Sequence, residues 1–143
     1  QKYDLTSLCA AYRIAQFENL GMFIARRKAI ANSYNEELKN CPHITTPLAK
    51  RDHIYNQYII KIDKNRDSFA RELKEMGIST SLHYRPMHLL SYYKTKYHLR
   101  VNDFPKALKT YQQILSLPIY AALSDEEVLY ICNAVKSVAQ NRV

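Results

Sequence analysis

The chain has 143 residues, and its 21 Lys and Arg outweigh 13 Asp and Glu to leave a formal charge of +8 at pH 7. That length suits one domain able to bury about two-thirds of its unfolded surface, so neither a metal nor a disulfide is required for folding, while the charge favours an anionic partner such as a nucleotide, a nucleic acid or a phosphorylated cofactor. No apolar run approaches the ~20 residues that span a bilayer and no basic-then-apolar leader is present, and three cysteines without close pairs (Cys9, Cys41, Cys132) point to a soluble protein of the reducing cytoplasm.

The sequence begins at Gln1 and "QKYDLTS" runs straight into helical spacing, so it reads as a piece of a longer chain. From Leu5 to Leu38 apolar residues recur at helical intervals, with Thr6 as N-cap, which predicts one long helix or two in series. Asn19-Leu20-Gly21 is the expected joint, because glycine costs about 1 kcal/mol inside a helix and Asn takes up turn conformations readily. Arg26, Arg27 and Lys28 are consecutive and fan out around this helix, which reads as a solvated face rather than a stripe that reads a nucleic-acid groove.

Residues 40–53 hold two prolines and read as a connecting segment, and Ile54 to Ile62 as a strand. A turn over Asp63 to Asn65 precedes an amphipathic helix with Phe69, Leu73 and Met76 on one face and Gly77 at C′. "ISTSLHY", residues 78–84, alternates as a second strand stopped by Pro86, with Tyr84 on the core-facing side. Pro105 opens a helix to about Gln112, Ile114 to Tyr120 reads as a third strand limited by Pro118, and Ser124 with Glu127 forms a capping box for a last helix to about Ala139. The fold class is α/β (α+β): a small mixed, largely antiparallel sheet of about three strands with packed helices and a long N-terminal helix or helix pair.

Chemistry concentrates in "SLHYRPMHLLSYY", residues 81–93. His83 and His88 are five apart with no third ligand at metal spacing, so no metal site is expected. Nothing marks the cysteines as activated, and they read as packing thiols. With only Gly21 and Gly77 in the chain, a glycine-rich phosphate loop is excluded. Tyr92, Tyr93 and Tyr97, interleaved with Lys94, Lys96 and Arg100, can either stack nucleotide rings or anchor a surface loop. Taken from the residues alone, this is a basic domain with a His- and Tyr-rich strand end, and no reaction is named.

Four phrases in order carry a resemblance: "KYDLTSLCAAYRIAQFENL", "ARRKAIANSYNEEL", "FARELKEMGISTSLHYRPMHLLSYY" and "FPKALKTYQQILSLPIYAALSDEEV". Together they resemble the C-terminal part of the DegT/StrS sugar aminotransferases. The resemblance implies that residues 1–143 form one domain, the C-terminal small domain of a fold-type I enzyme whose cofactor is pyridoxal 5′-phosphate. It implies a homodimer that moves an amino group, typically from glutamate, to a nucleotide-linked keto sugar in amino-sugar biosynthesis. The Schiff-base lysine, the cofactor-ring aspartate and most of the phosphate cradle then lie in a preceding large domain, so no catalytic residue is expected here and this piece alone is inactive. Lys2 corresponds to a residue reaching the cofactor phosphate of the partner subunit, and His83, Tyr84 and His88 to the wall of the substrate entrance. Two alternatives stand beside this reading. One is a sugar dehydratase of the same fold, in which histidine replaces the Schiff-base lysine. The other is a basic nucleic-acid-binding module, disfavoured because the cations are dispersed along the chain and no nucleic-acid or membrane motif is present.

Overall fold

A computed structural model describes residues 6–48 and 52–142. Lys2 lies outside the described residues. Helix α1 (Ser7–Glu18) starts where Thr6 Oγ1 accepts the Cys9 N–H at 3.3 Å, and Asn19 separates it from α2 (Leu20–Glu37). Asn19 makes the joint by turning its side-chain amide back to the Ala15 carbonyl at 3.2 Å, a local bond that competes with helix propagation. The expected pair in series is therefore present, and its break falls at Asn19, the first residue of the expected joint.

The sheet has three strands in the order β1 (Ile44–Thr45), β2 (Tyr58–Ile62), β3 (Ile114–Leu117), and both pairings are antiparallel rather than mixed. Its first strand lies within the segment expected to be only a connection. Strand β2 is shorter than the Ile54 to Ile62 expectation. Tyr55 sits at φ +48°, and the carbonyls of Tyr55 and Asn56 turn to the Arg27 guanidinium at 3.2 and 3.1 Å instead of joining a ladder.

Residues 78–84 likewise do not form the expected strand. Only Ser81 pairs, exchanging both backbone bonds with Ser116 (3.2 and 2.8 Å) on the free edge of β3. In this register the next bonded pairs would be Ser79 with Pro118 and His83 with Ile114. Pro118 has no N–H to give, and the Ile114 N–H is already given to the Thr110 carbonyl, while its carbonyl accepts from Arg66 at 3.1 Å. The ladder stops on both sides for that reason.

Helices α3 (Arg66–Glu75), α4 (Ser91–Tyr97), α5 (Pro105–Gln113) and α6 (Asp125–Gln140) complete the chain, with 3₁₀ turns at Met87–Leu89 and Val101–Asp103. Gly77 ends α3 at φ +78°, where a side chain would be strained. Ser124 and Glu127 close the capping box of α6 in both directions. Neither α4 nor the 3₁₀ turns were expected from the sequence. Helix α6 packs on α2 and α3, and together they cover one face of the sheet. Tyr58, Ile60 and Ile62 of β2 and Leu115 and Leu117 of β3 are buried with Tyr34, Leu73, Val135 and Val138 of the helices. Each such side chain contributes about 1.5–3 kcal/mol through burial.

Arg26, Arg27 and Lys28 are not a solvated face. Arg26 pairs with Asp125 at 2.7 Å and reaches the Leu123 carbonyl, Arg27 donates to the carbonyls of Tyr55, Asn56 and Ile119, and Lys28 pairs with Asp52. Between them the three tie α2 to the segment before β2 and to the segment between β3 and α6, which the spread of consecutive helical positions permits.

Candidate functional site

Ser116 sits in an otherwise apolar strand, between Leu115 and Leu117, and is buried. Its Oγ lies 2.8 Å from His83 Nδ1, so the hydroxyl satisfies itself and fixes the imidazole in one step. No other hydrogen bond to that ring is made among the described residues, which leaves Nε2 to donate or accept outward according to the tautomer. The peptide bond joining His83 to Tyr84 is cis. The Tyr84 ring meets His83 edge-on at 4.8 Å, and its hydroxyl accepts from Gln57 Nε2 at 3.2 Å. Tyr84 is 71 % exposed, so it faces solvent rather than the core side on which the strand alternation had put it. Once the strand is reduced to a single bridge, the two-residue periodicity no longer sets its direction.

Beside this pair is a polar cavity of about 190 Å³, lined by Asn56, Gln57, Ser79, Ser81, His83 and Ser116 among others. Gln57, Ser81 and Ser116 were not singled out from the sequence. The available signal was Ser116 itself, a lone hydroxyl in the run "ILSL" that must find a partner once buried.

His88 does not join this group. It is buried in the 3₁₀ turn Met87–Leu89 against Phe104, with ring centroids 5.1 Å apart, and lines a separate apolar cleft. It bonds no carbonyl: its Nε2 has no hydrogen-bond partner among the described residues. No group of three or more His, Cys, Asp or Glu side chains suited to a metal occurs among the described residues, and no helix there is long and apolar enough to cross a membrane. Of the thiols, Cys132 packs in the core as expected and is pushed up to about 11 by burial, while Cys9 is exposed.

The three-stranded antiparallel sheet backed by helices matches part of the fold-type I aminotransferases. The chain belongs to the DegT/DnrJ/EryC1/StrS aminotransferase family, whose profile it matches over residues 1–136. It is 38% identical, over 99% of its length, to the uncharacterized protein MJ1066 of Methanocaldococcus jannaschii, covering 39% of that protein. It is 31% identical, over 97% of its length, to the spore coat polysaccharide biosynthesis protein SpsC of Bacillus subtilis, covering 38% of it. Among solved structures it superposes with a TM-score of 0.89 on Spr1654 of Streptococcus pneumoniae, described as a sugar aminotransferase and solved in apo, PMP and PLP forms, at 27% identity over 96% of this chain and 36% of that one. The chain thus spans about two-fifths of the length of the curated relatives it matches.

Proposed function

We propose that this domain is the C-terminal part of a pyridoxal-phosphate-dependent aminotransferase acting on nucleotide-linked keto sugars, working as a homodimer with glutamate as amino donor. Family membership over residues 1–136 supports the reaction class, and the observation that carries the domain's own role is the His83 imidazole held by buried Ser116 next to exposed Tyr84. That arrangement presents a ring nitrogen and a phenol beside a cavity of amides and hydroxyls, a donor and acceptor set suited to sugar hydroxyls and phosphate oxygens.

The same set does not fit the cofactor. Around the polar cavity stand one imidazole, two amides and three serine hydroxyls, with no lysine amine for a Schiff base and no carboxylate for a pyridinium nitrogen. The cofactor, which supplies the electron sink for amino transfer, is therefore assigned to the rest of the longer protein, with Lys2 proposed as a contact to the phosphate bound by the partner subunit. His83 orients the sugar through Nε2, and Tyr84 closes one side of the entrance with its ring while Gln57 fixes its hydroxyl.

The test is an absorption spectrum of the complete protein from its native reading frame with pyridoxal phosphate, followed by borohydride reduction and mapping of the modified residue. A visible band trapped on a lysine upstream of Gln1 is expected. Cofactor binding with no trapped lysine would move the assignment to a sugar dehydratase, and no binding would remove both enzyme readings.

A further inference from the structure

We propose that His53 is a positioning residue for the candidate site: its Nδ1 holds Tyr55 in a left-handed turn that delivers Asn56 and Gln57 to the polar cavity, and a second proton on the ring releases them. This rests on the reading of His83 and Tyr84 as substrate-facing, and it adds a residue on a different segment, just before β2.

Tyr55 sits at φ +48°, a conformation that a bulky side chain takes up only where its surroundings impose it. Its ring is buried beside that of Tyr58, with centroids 6.2 Å apart, and both ends of its backbone are held. The carbonyl accepts from Arg27 at 3.2 Å, and the N–H donates to His53 Nδ1 at 2.9 Å. The second bond runs from residue i+2 back to the side chain of residue i, the pattern by which Asn and Asp close a turn through a side-chain oxygen. Here an imidazole takes that place, with its ring centroid 4.5 Å from that of Tyr55. The next two residues are the ones the site uses. Asn56 and Gln57 line the polar cavity with Ser81, His83 and Ser116, and Gln57 Nε2 donates to the Tyr84 hydroxyl at 3.2 Å.

A backbone N–H aimed at Nδ1 requires a lone pair there, so the ring is neutral with its proton on Nε2. A second proton at Nδ1 turns the acceptor into a donor, sets two N–H groups against each other and leaves the Tyr55 amide without its partner. Arg27 alone then holds a left-handed aromatic residue. His53 is exposed, so solvent protons reach it. The charged groups placed about it among the described residues are Asp52 on the same segment, paired with Lys28, and Arg27 and Lys28 on α2. The Lys28 ammonium beside Asp52 holds its carboxyl below the usual carboxylate range, while ammonium, guanidinium and phenol groups such as those of Tyr55 and Tyr58 keep their protons from pH 5 to 8. Imidazole is the side chain that changes charge within that interval, so it is the group that switches the turn.

The test is hydrogen exchange of the complete protein at pH 5 and pH 8, read by mass spectrometry as protection across residues 53–58 relative to the unstructured peptide. It compares the parent with His53→Asn, which keeps an acceptor that does not titrate, and His53→Phe, which keeps a ring on Tyr55 but no acceptor. The position is exposed, and circular dichroism checks folding. Protection in the parent should fall about tenfold from pH 8 to pH 5, stay within about twofold in His53→Asn, and be low at both values in His53→Phe. The same three proteins are titrated calorimetrically with UDP-glucose, dTDP-glucose and GDP-mannose. For a sugar nucleotide that binds, the parent should match His53→Asn at pH 8 and bind about tenfold more weakly than it at pH 5, a ratio that cancels the titration of His83 common to all three. His53→Phe should be about tenfold weaker than His53→Asn at both. Parent protection equal to that of His53→Asn at pH 5, or His53→Phe protection equal to that of the parent at pH 8, would overturn the hold on Tyr55 and leave the site reading standing. The expected exchange pattern with affinities indifferent to His53 would overturn the positioning role. No sugar nucleotide binding at millimolar concentration at either pH would overturn it together with the site reading, and the borohydride experiment reads the enzyme assignment separately.

Discussion

Ser116 shows how much a single hydroxyl decides. Its backbone pairs with Ser81 to attach the 78–84 segment to the sheet, and its side chain fixes His83 at 2.8 Å. Ser116→Ala removes the second role and leaves a half-buried imidazole nitrogen without its partner. We expect a loss of about 1–3 kcal/mol in urea unfolding, together with a weaker KM for the sugar substrate. A stability loss with KM unchanged would separate His83 from substrate. Arg27 is a corresponding device just before the start of β2. Charge-assisted bonds are the stronger kind, and Arg27→Ala releases three carbonyls at once. The expected cost is about 2 kcal/mol, measured by the same titration. Lys28→Ala, which breaks one exposed pair with Asp52, should leave the unfolding midpoint in place.

Among the elements, α1 is the one whose sequence and environment disagree. Its residues repeat at helical spacing like a buried face, yet none is buried, and Leu8 and Phe17 are 81% and 74% exposed. An apolar face this large ordinarily lies against a partner surface. In the isolated 143-residue chain it should drive self-association. Sedimentation velocity would then show Tyr12→Glu combined with Phe17→Glu shifting the population toward single chains, and an unchanged distribution would exclude α1 as the contact. By contrast, α6 satisfies every local rule. It has a capping box, acidic residues in its first turn, and Val128, Ile131, Cys132, Val135 and Val138 on one buried stripe.

For the molecule as a whole, burial in the core sets the alkaline limit. Cys132 is pushed from its ordinary 9.0 to about 11, first by burial and then by Glu37. Its folded value lies above the unfolded one, so the native state keeps a proton that the unfolded chain gives up. Stability is accordingly undiminished below pH 9 and falls between pH 9 and 11, at about 1.4 kcal/mol per pH unit for this one group. Tyr34 and Tyr58 are also raised by burial, and they steepen the loss above pH 10. Urea midpoints at pH 7, 9 and 10 test this, and Cys132→Ala should flatten the step from 9 to 10. A midpoint that does not move in the parent would mean that these groups reach water in the native state.

What the sequence determined by itself is whatever rests on nearby residues. Thr6, Gly77, Pro105 and the Ser124–Glu127 box fixed helix ends through caps and backbone geometry that operate over three or four positions. The ordered family phrases carried the architecture, and "HYRPMH" marked the candidate site. What tertiary structure alone decided is whatever depends on partners far along the chain. The alternation in 78–84 is that of a strand, but pairing ended where Pro118 lacks an N–H and the Ile114 N–H is spent on Thr110. Arg26 to Lys28 look like a solvated face until loops about 25 to 100 residues away supply their acceptors. His83 and His88 are five residues apart, yet one meets a β3 hydroxyl and the other an aromatic cleft. Local propensity sets where a segment bends or coils, whereas the direction of a side chain and the occupancy of a hydrogen bond are fixed by groups the fold brings in from elsewhere.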